Sequence, residues 1–378
     1  MKEESVKIVG IIDEDPFSPL TWSGSSYYFF TALKQSGVLV DAIAAQLPKG
    51  RDFYHKVINF HPSVPTWRFK YGISTGRYAA MTSKVRRYLG SLENSKFSII
   101  LQIGAWYDAT NFDKKMTVSY HDGNIASLVN NPYFKIPFAR SHLRKAFQFE
   151  KEIYSRMHVL FPMSKWLADS FVRDFDTNSK KIFPVGAGIN LPKSAVGNVQ
   201  GKDYSAPSIL FVGKDFQRKG GEYLLKAFAR VRKEIPRATL TIIGPAIQLP
   251  DEAIRVAGPI SKMTPEGLQR IIGAYKEASI FVMPSLYEPF GIAFCEAMAF
   301  RLPCIGTNVC AMPEIIEHQK SGFIVPPGDD RSLAEAIITL LKNHSLCKEM
   351  GDRGFARYES FFTWEAVTNK IIEILSSP

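Results

Sequence analysis

The sequence predicts an α/β protein made of two doubly wound domains. Apolar, β-rich runs alternate with helical patterns in two similar series, which is typical of parallel βαβ units. A segment of weak periodicity rich in Gly, Pro, Ser and Asn separates the series. The 378 residues suit two domains of roughly 150 residues each. We predict domains over residues 1–185 and 208–360, a linker over 186–207, and a C-terminal helix over 361–378.

Each series is assigned from its local pattern. In the first series, one helix is predicted after Ser25 and two more over residues 139–156 and 164–174. Its strands are VKIVGII, VLVDAI, SIILQIG, TVSYH, HVLFPMS and KIFPV. In the second, helices are predicted over 220–234, 265–277, 291–300 and 330–343. Its strands are SILFVG, ATLTIIG, AIRVAG, SIFVMPS, PCIG and GFIVPP.

Composition limits the class of protein. Apolar residues make up 46% and charged residues 22% of the chain, which excludes disorder along its whole length. We expect a soluble cytoplasmic protein, because no apolar run approaches a membrane span and the N-terminus lacks a signal core. The four cysteines form no C-x-x-C pair, which argues against a disulfide scaffold or a zinc ribbon.

Positive charge is concentrated in the first half of the chain. Residues 1–184 carry 25 Lys and Arg against 16 Asp and Glu. Trp67 to Leu89 contains six cations and no acid, which indicates either a solvated helix face or a surface for an anionic acceptor or a membrane. No nucleic-acid motif is present. The six are Arg68, Lys70, Arg77, Lys84, Arg86 and Arg87.

Two glutamates flank a predicted helix start in EPFGIAFCEAMA. Gly291 opens the helix, so the amides of Phe290, Gly291 and Ile292 would point at an anion such as a phosphate. Glu296 is placed to accept ribose hydroxyls, and Glu288 to bind a sugar hydroxyl. This pattern predicts a nucleotide-sugar site; a capped surface helix with incidental acids is the alternative.

The stretch FVGKDFQRKGG joins a strand ending at Gly213 to a helix starting near Gly220. Lys214, Arg218 and Lys219 crowd this connection and would repel one another unless an anion neutralised them. They would stabilise the charge that develops on a departing nucleoside diphosphate. A solvated basic turn is the alternative.

Together these stretches resemble the retaining glycosyltransferases of family 4, which have the GT-B fold. The match rests on Glu288-x7-Glu296, on LPCIGTNVCAMPEII, on SGFIVPPGDDRSLAEAI and on the Gly213–Gly220 spacing. Ala311 and Lys214 depart from the family pattern. The resemblance covers residues 118–375 well and the first hundred poorly. It implies two Rossmann-like domains facing a cleft, with the C-terminal helix crossing back to the N-terminal domain.

The resemblance also assigns roles to residues. It implies that Lys219, with Lys214 or Arg218, contacts the diphosphate, and that Glu296 holds the ribose and Glu288 the transferred sugar. Gly213 and the three amides at the helix start should line the donor, and Ile260 is the expected base contact. In the first half, His121 should face the donor sugar, and Gly24 should lie in a loop that touches the diphosphate.

The first half contains two further candidate residues and one acidic turn. Asp122, next to His121, and Ser164, at a helix start, are predicted on the acceptor side. Asp13-Glu14-Asp15 reads as D-x-D, a metal-binding pattern of another glycosyltransferase fold. We discount it, because the cations of the second half already offer charge neutralisation. We therefore expect no metal and no cofactor, with the nucleotide sugar as donor substrate.

The resemblance predicts a retaining hexosyltransferase acting in polysaccharide biosynthesis. We expect UDP-glucose as the donor and a glycan or lipid-linked glycan as the acceptor, without nucleic acid. The basic N-terminal domain suggests peripheral contact with the inner membrane face. The alternatives are a GDP-mannose-dependent mannosyltransferase, a nucleotide-sugar epimerase and a non-catalytic assembly partner.

Overall fold

The computed structural model describes residues 6–133, 140–196 and 201–377, with the side chains of 140–142 excepted. The chain divides into two units by its internal contacts. The first comprises the residues up to Gly186 together with those from Val367 onward, and the second comprises Ala187–Ala366. The predicted linker thus clusters with the second unit from residue 187, although its residues 197–200 lie outside the described part of the chain.

The first unit contains a parallel sheet of five strands in the order β2-β1-β3-β4-β5. Helices α4 on one side and α6 and α7 on the other supply the two clusters of its core. The strands are β1 (Ile8–Ile12), β2 (Leu39–Ala44), β3 (Ile99–Ile103), β4 (Met116–His121) and β5 (Val159–Pro162). The helices are α1 (Ser25–Gln35), α2 (Lys49–Ile58), α3 (Val64–Gly72), α4 (Thr75–Ser91), α5 (Ile125–Val129), α6 (Arg140–Arg156) and α7 (Lys165–Phe175).

The second unit contains a parallel sheet of six strands in the order β11-β10-β9-β6-β7-β8. Counted along this unit alone, the order is that of the dinucleotide-binding fold, with its switch point between β6 and β9. The strands are β6 (Ser208–Val212), β7 (Thr239–Ile243), β8 (Ile254–Gly258), β9 (Ile280–Val282), β10 (Cys304–Thr307) and β11 (Gly322–Val325). The helices are α8 (Gly221–Glu234), α9 (Pro265–Glu277), α10 (Ile292–Ala299), α11 (Met312–Ile315), α12 (Asp330–Lys342), α13 (His344–Phe361) and α14 (Trp364–Ser376), whose last ten residues belong to the first unit.

The predicted doubly wound α/β class is confirmed, and one predicted strand is wrong. KIFPV forms only a single bridge, between Leu160 and Ile182. Phe183 and Val185 donate to the carbonyls of Leu160 and Pro162, but Pro162 of β5 has no N–H to donate in return, so the ladder does not continue. Among the described residues, no helix is both long enough and apolar enough to cross a membrane.

Candidate functional site

The polar loops of the second unit meet at the carboxyl ends of β6 and β9, which are neighbours in the sheet. The loop after β6 carries Arg218 and Lys219, and the loop after β9 carries Glu288. Ligands of doubly wound sheets bind in the crevice at this topological switch point. The sheet order therefore brings together residues that are 70 positions apart in the chain.

Gly220 allows the two loops to approach each other closely. It precedes α8 with φ of +74°, and a Cβ at this position would lie 1.9 Å from the carbonyl oxygen of Pro284. Any other residue would separate the loop after β6 from the end of β9. The contact is extended by the amide of Leu286, which donates to the carbonyl of Arg218.

Glu288 neutralises two of the three predicted cations. Its Oε2 lies 2.9 Å from Nζ of Lys219 and 3.2 Å from Nη1 of Arg218. Arg218 also pairs through Nε with Asp215, at 3.1 Å. The mutual repulsion inferred from the sequence is thus relieved within the chain by two carboxylates. Lys214, the third cation, is exposed.

The carboxyl group of Glu288 stays ionised. Burial alone would raise its pKa, but the charges and hydrogen bonds of Lys219 and Arg218 outweigh burial and lower the pKa below the ordinary value. The side chains of Glu288 and Lys219 are 13% and 14% exposed. An anionic ligand that reached this cluster would compete with Glu288 for both cations.

Gly291 precedes α10 in the left-handed region, with φ of +94°. A Cβ there would lie 3.0 Å from the ring of Phe294 and 3.3 Å from Cγ of Glu288, so a side chain would crowd the cluster. Phe290 is buried and Ile292 is half-buried. Gly291 thus lies beside the Glu288 side chain, and the role of the amides of residues 290–292 as donor contacts stays a prediction.

Glu296 lies inside α10 and is almost fully buried. Its Oε2 accepts a hydrogen bond of 3.0 Å from the Tyr275 hydroxyl, and its Oε1 pairs with the Lys262 ammonium. Sequence reasoning missed both partners. Lys262 follows β8 and Tyr275 lies on α9, and neither belongs to a motif that would have indicated a contact with Glu296.

Two other predicted donor contacts have different surroundings. Gly213 is buried at the end of β6, and a Cβ there would lie 2.1 Å from Cδ of Lys219, so this glycine makes room for the lysine stem. Ile260 is half-buried and lines an open groove of about 310 Å³ between β7, β8 and α9, together with Arg255 and Arg270. Its role as a base contact stays a prediction.

One further residue near the cluster was not selected from the sequence. Cys310 follows β10, and its thiol lies close to the backbone N–H of Glu288. Burial raises the pKa of this thiol to about 11, so it is protonated at neutral pH. Cys310 therefore adds no charge to the cluster.

His121 ends β4 in the first unit and is 1% exposed. Its ring packs edge-on against Tyr154 and Phe171, with centroids 5.4 and 5.1 Å away. Burial lowers its pKa to about 3, and neither ring nitrogen has a hydrogen-bond partner among the residues that the structure describes. The imidazole is therefore neutral and enclosed by its own unit, and its catalytic role stays a prediction.

The other predicted residues of this unit lie at the carboxyl edge of its sheet. Asp122 accepts a hydrogen bond of 2.7 Å from Nε1 of Trp22, and Gly24 precedes α1 with φ of +93°. Ser164 is buried and caps α7, because its hydroxyl accepts from the amide of Leu167 at 3.1 Å. This cap gives Ser164 a structural role. In the described part of the chain, no group of three or more His, Cys, Asp or Glu could hold a metal ion.

Comparison with known proteins identifies the family of the second unit. Residues 206–343 match the family model "Glycosyl transferases group 1". This part of the chain is similar to group 1 glycosyl transferases. The match contains Arg218, Lys219, Glu288 and Glu296, and the resemblance recognised in the sequence is confirmed.

Two curated relatives of this chain have names that include a sugar phosphate or an inositol phosphate. D-inositol 3-phosphate glycosyltransferase of Streptomyces avermitilis is 24% identical over 249 residues, which is 60% of this chain and 53% of that protein. Alpha-maltose-1-phosphate synthase of Mycolicibacterium smegmatis is 26% identical over 200 residues, 48% and 51% of the two chains. The chain thus spans about half the length of the curated relatives it matches.

Solved structures identify the fold over nearly the whole chain. Sucrose-phosphate synthase of Thermosynechococcus elongatus superposes with a TM-score of 0.67 at 17% identity and covers 98% of both chains. HepE of Anabaena in complex with UDP-glucose gives a TM-score of 0.61 at 16% identity, over 98% of this chain and all of the other. The fold is GT-B, as predicted.

Proposed function

We propose that the protein is a glycosyltransferase that moves a hexose from a nucleoside diphosphate sugar to an acceptor hydroxyl. The observation that carries the proposal is the cluster of Lys219, Arg218 and Glu288 at the switch point of a group 1 unit. Two side-chain cations at this crevice suit a diphosphate, since Arg binds phosphate bidentately and Lys acts as a point charge.

The internal ion pair gives donor binding a specific form. When the diphosphate takes over the two cations, Glu288 loses its partners and its carboxylate becomes available to accept hydroxyls of the transferred sugar. Glu296, fixed by Tyr275 and Lys262, accepts the ribose hydroxyls. On binding, the sugar hydroxyls replace the two cations as hydrogen-bond partners of Glu288, so its carboxylate keeps donors in both states.

Transfer is proposed to retain the anomeric configuration and to need no metal. Lys219 and Arg218 stabilise the charge that grows on the departing diphosphate, which is the task a divalent ion performs in other transferases. The acceptor hydroxyl attacks from the face that the leaving group vacates, and its proton passes to the departing phosphate oxygen. No carboxylate is assigned as a covalent nucleophile.

UDP-glucose is the proposed donor, and a glycan or lipid-linked glycan is the proposed acceptor, in polysaccharide biosynthesis. The donor choice is supported by the similarity to HepE in complex with UDP-glucose. We place the protein in the cytoplasm, because its four cysteines are all free. The excess of cations in residues 1–184 supports peripheral association with an anionic membrane.

Radiolabelled donors test this proposal. The protein is incubated with UDP-glucose or GDP-mannose, with and without a panel of glycan and glycolipid acceptors, and label in acceptor, free sugar and nucleotide is separated. We expect labelled acceptor with UDP-glucose. Altered sugar released without any acceptor would identify an epimerase, and absence of turnover with every donor would identify a non-catalytic protein.

A further inference from the structure

Helix α2 of the first unit has inverted polarity. Its apolar side chains face solvent, since Phe53, Tyr54, Val57 and Ile58 are between 53% and 67% exposed. At about 100° per residue these four share one face. The opposite face is polar and packs on the protein: Asp52 and His55 are each 8% exposed.

The buried polar face of α2 is held by specific contacts. Asp52 pairs with Lys56 at 2.6 Å and accepts a hydrogen bond from the Tyr71 hydroxyl. Asn59, just after the helix, donates to Ser74 at 3.2 Å. The hydrogen bonds of Asp52 with Tyr71 and of Asn59 with Ser74 tie α2 to its neighbours, and rotating its apolar face inward would break them.

The apolar surface continues beyond α2. Phe60 and Val64 are 65% and 51% exposed. Phe60 packs edge-on against Trp67 at 5.9 Å, and the Trp67 indole donates to the Lys56 carbonyl at 2.8 Å, which anchors the patch to α3. We call this the α2 patch: Phe53, Tyr54, Val57, Ile58, Phe60 and Val64.

The charge around the α2 patch has one sign. Residues 42–92 contain nine Lys and Arg and a single acid, Asp52, which is buried and paired. Lys49 and Arg51 are exposed on α2 itself, one on each side of its apolar face, and Arg68 is exposed on α3. An apolar face bordered by cations on both sides is the pattern of a helix that lies in a membrane interface.

We propose that the α2 patch is a membrane-docking surface that inserts among the headgroups of anionic lipids. The inference rests on the peripheral association proposed above and names the surface that performs it. A second copy of the chain fits less well, because a symmetric contact would oppose the same cations, and residues 42–92 contain no acid besides the buried, paired Asp52. Lipid phosphates supply the missing negative charge, and acyl chains cover the apolar side chains.

The run of cations in residues 67–89 alone would favour α4 as the membrane-binding helix, rather than α2. Lys84 on α4 donates to the carbonyls of Ala44 and Gln46, and Arg86 lies 3.6 Å from Asp108 and donates to Thr110. These two cations are occupied within the protein. Arg87 of α4 is exposed, as are Lys49, Arg51 and Arg68, but among these only Lys49 and Arg51 border the apolar face of α2.

The test compares variants in co-sedimentation with vesicles of phosphatidylcholine alone or mixed with phosphatidylglycerol. We expect wild type to bind only the mixed vesicles, more weakly as salt shortens the Debye length below about 8 Å. The triple variant Phe53→Gln, Val57→Gln, Ile58→Gln should bind about tenfold more weakly or not at all. The double variant Lys49→Glu, Arg51→Glu should lose binding at low salt.

Matched controls separate docking from general stickiness. The exposed apolar residues Val172 and Phe361 lie on other helices, so Val172→Gln and Phe361→Gln should bind like wild type. Phe53→Trp should add fluorescence to that of the five native tryptophans, and brominated lipids should quench this added signal if position 53 inserts. Circular dichroism should be unchanged in every variant, because all substituted side chains are exposed.

The outcomes distinguish the inference from the function on which it rests. Wild type that never sediments with anionic vesicles overturns membrane association and the α2 assignment together. If the triple variant binds anionic vesicles as well as wild type does, the α2 assignment alone is overturned. Dimerisation abolished by the triple variant, without lipid binding, would identify a second copy as the occupant and refute the lipid proposal. Donor hydrolysis should be unchanged in the α2 variants, whichever result is found.

Discussion

The ammonium of Lys219 lies 2.9 Å from the carboxylate of Glu288, although one residue follows β6 and the other follows β9. The pair holds a cation and an anion at the switch point of the sheet, with Arg218 as a second cation. A diphosphate can replace the carboxylate at both cations, and Glu288 then needs sugar hydroxyls as its new hydrogen-bond partners. Several consequences can be measured.

Lys219→Ala should weaken UDP binding. The variant removes a charge-assisted hydrogen bond worth about 1.5–3 kcal/mol, or roughly 10- to 150-fold in Kd. Isothermal calorimetry with UDP measures the change, and Lys226→Ala is the matched control, because Lys226 is an exposed lysine of α8 outside the predicted site. Equal UDP affinity in wild type and Lys219→Ala would remove this lysine from the donor site.

Substitution of Glu288 should lower turnover, whereas substitution of Glu296 should weaken UDP binding. Glu288→Gln should leave the UDP affinity intact or raise it, because the competing carboxylate is gone, and should lower kcat. Glu296→Gln should weaken UDP itself, since it weakens acceptance of the ribose hydroxyls. Calorimetry with UDP and a turnover assay on both variants make the comparison; equal loss of UDP binding in both would contradict this division of roles.

Catalysis should survive chelation. Lys219 and Arg218 supply the positive charge at the leaving group, so activity in EDTA should match activity in untreated buffer. The assay is repeated with added manganese and with Asp13→Asn. If chelation stops the reaction and manganese restores it, the D-x-D interpretation of Asp13 and Asp15 replaces the metal-independent one.

Glu150 should make stability fall with rising pH. Burial raises its pKa to about 7 from an ordinary value of 4.5, while its Oε2 accepts hydrogen bonds from the Ile125 amide and the Tyr154 hydroxyl. Between these values the folded protein binds more protons than the unfolded chain, so this group's contribution declines as the pH rises from about 4.5 to about 7. Glu150→Gln keeps an acceptor and cannot ionise.

The Tm of Glu150→Gln should therefore rise relative to wild type across that interval, by the equivalent of up to about 3 kcal/mol. The comparison must be between the two proteins, because buried His121 acts in the opposite direction: its pKa of about 3 makes its contribution grow as the pH rises from about 3 to 6.5. Thermal scans from pH 4 to pH 8 measure the difference in Tm between the variant and wild type. A difference that stays the same over this range would contradict the prediction.

Local patterns were enough for most elements of the second unit. The helix predicted over 265–277 begins and ends at those residues, and SILFVG, ATLTIIG and AIRVAG all form strands. The strand predicted in SIFVMPS shrinks to Ile280–Val282, because Pro284 cannot donate to a ladder. Helices α2 and α3 were not predicted, since an apolar face turned outward does not follow the usual rule for a helix that packs on a core.

The sequence by itself determined the α/β class, the two series of strands and the residues that meet at the switch point, because periodicity and motif spacing are local properties. Only the tertiary structure decided which partners the charges find. Glu296 pairs with Lys262 and Tyr275, which lie 34 and 21 residues away, and His121 is enclosed by Tyr154 and Phe171. Burial and ion pairing depend on which elements pack together, and that information is spread over the whole chain. For the same reason, only the packing of Asp52 against Tyr71 reveals that α2 presents its apolar face to the outside.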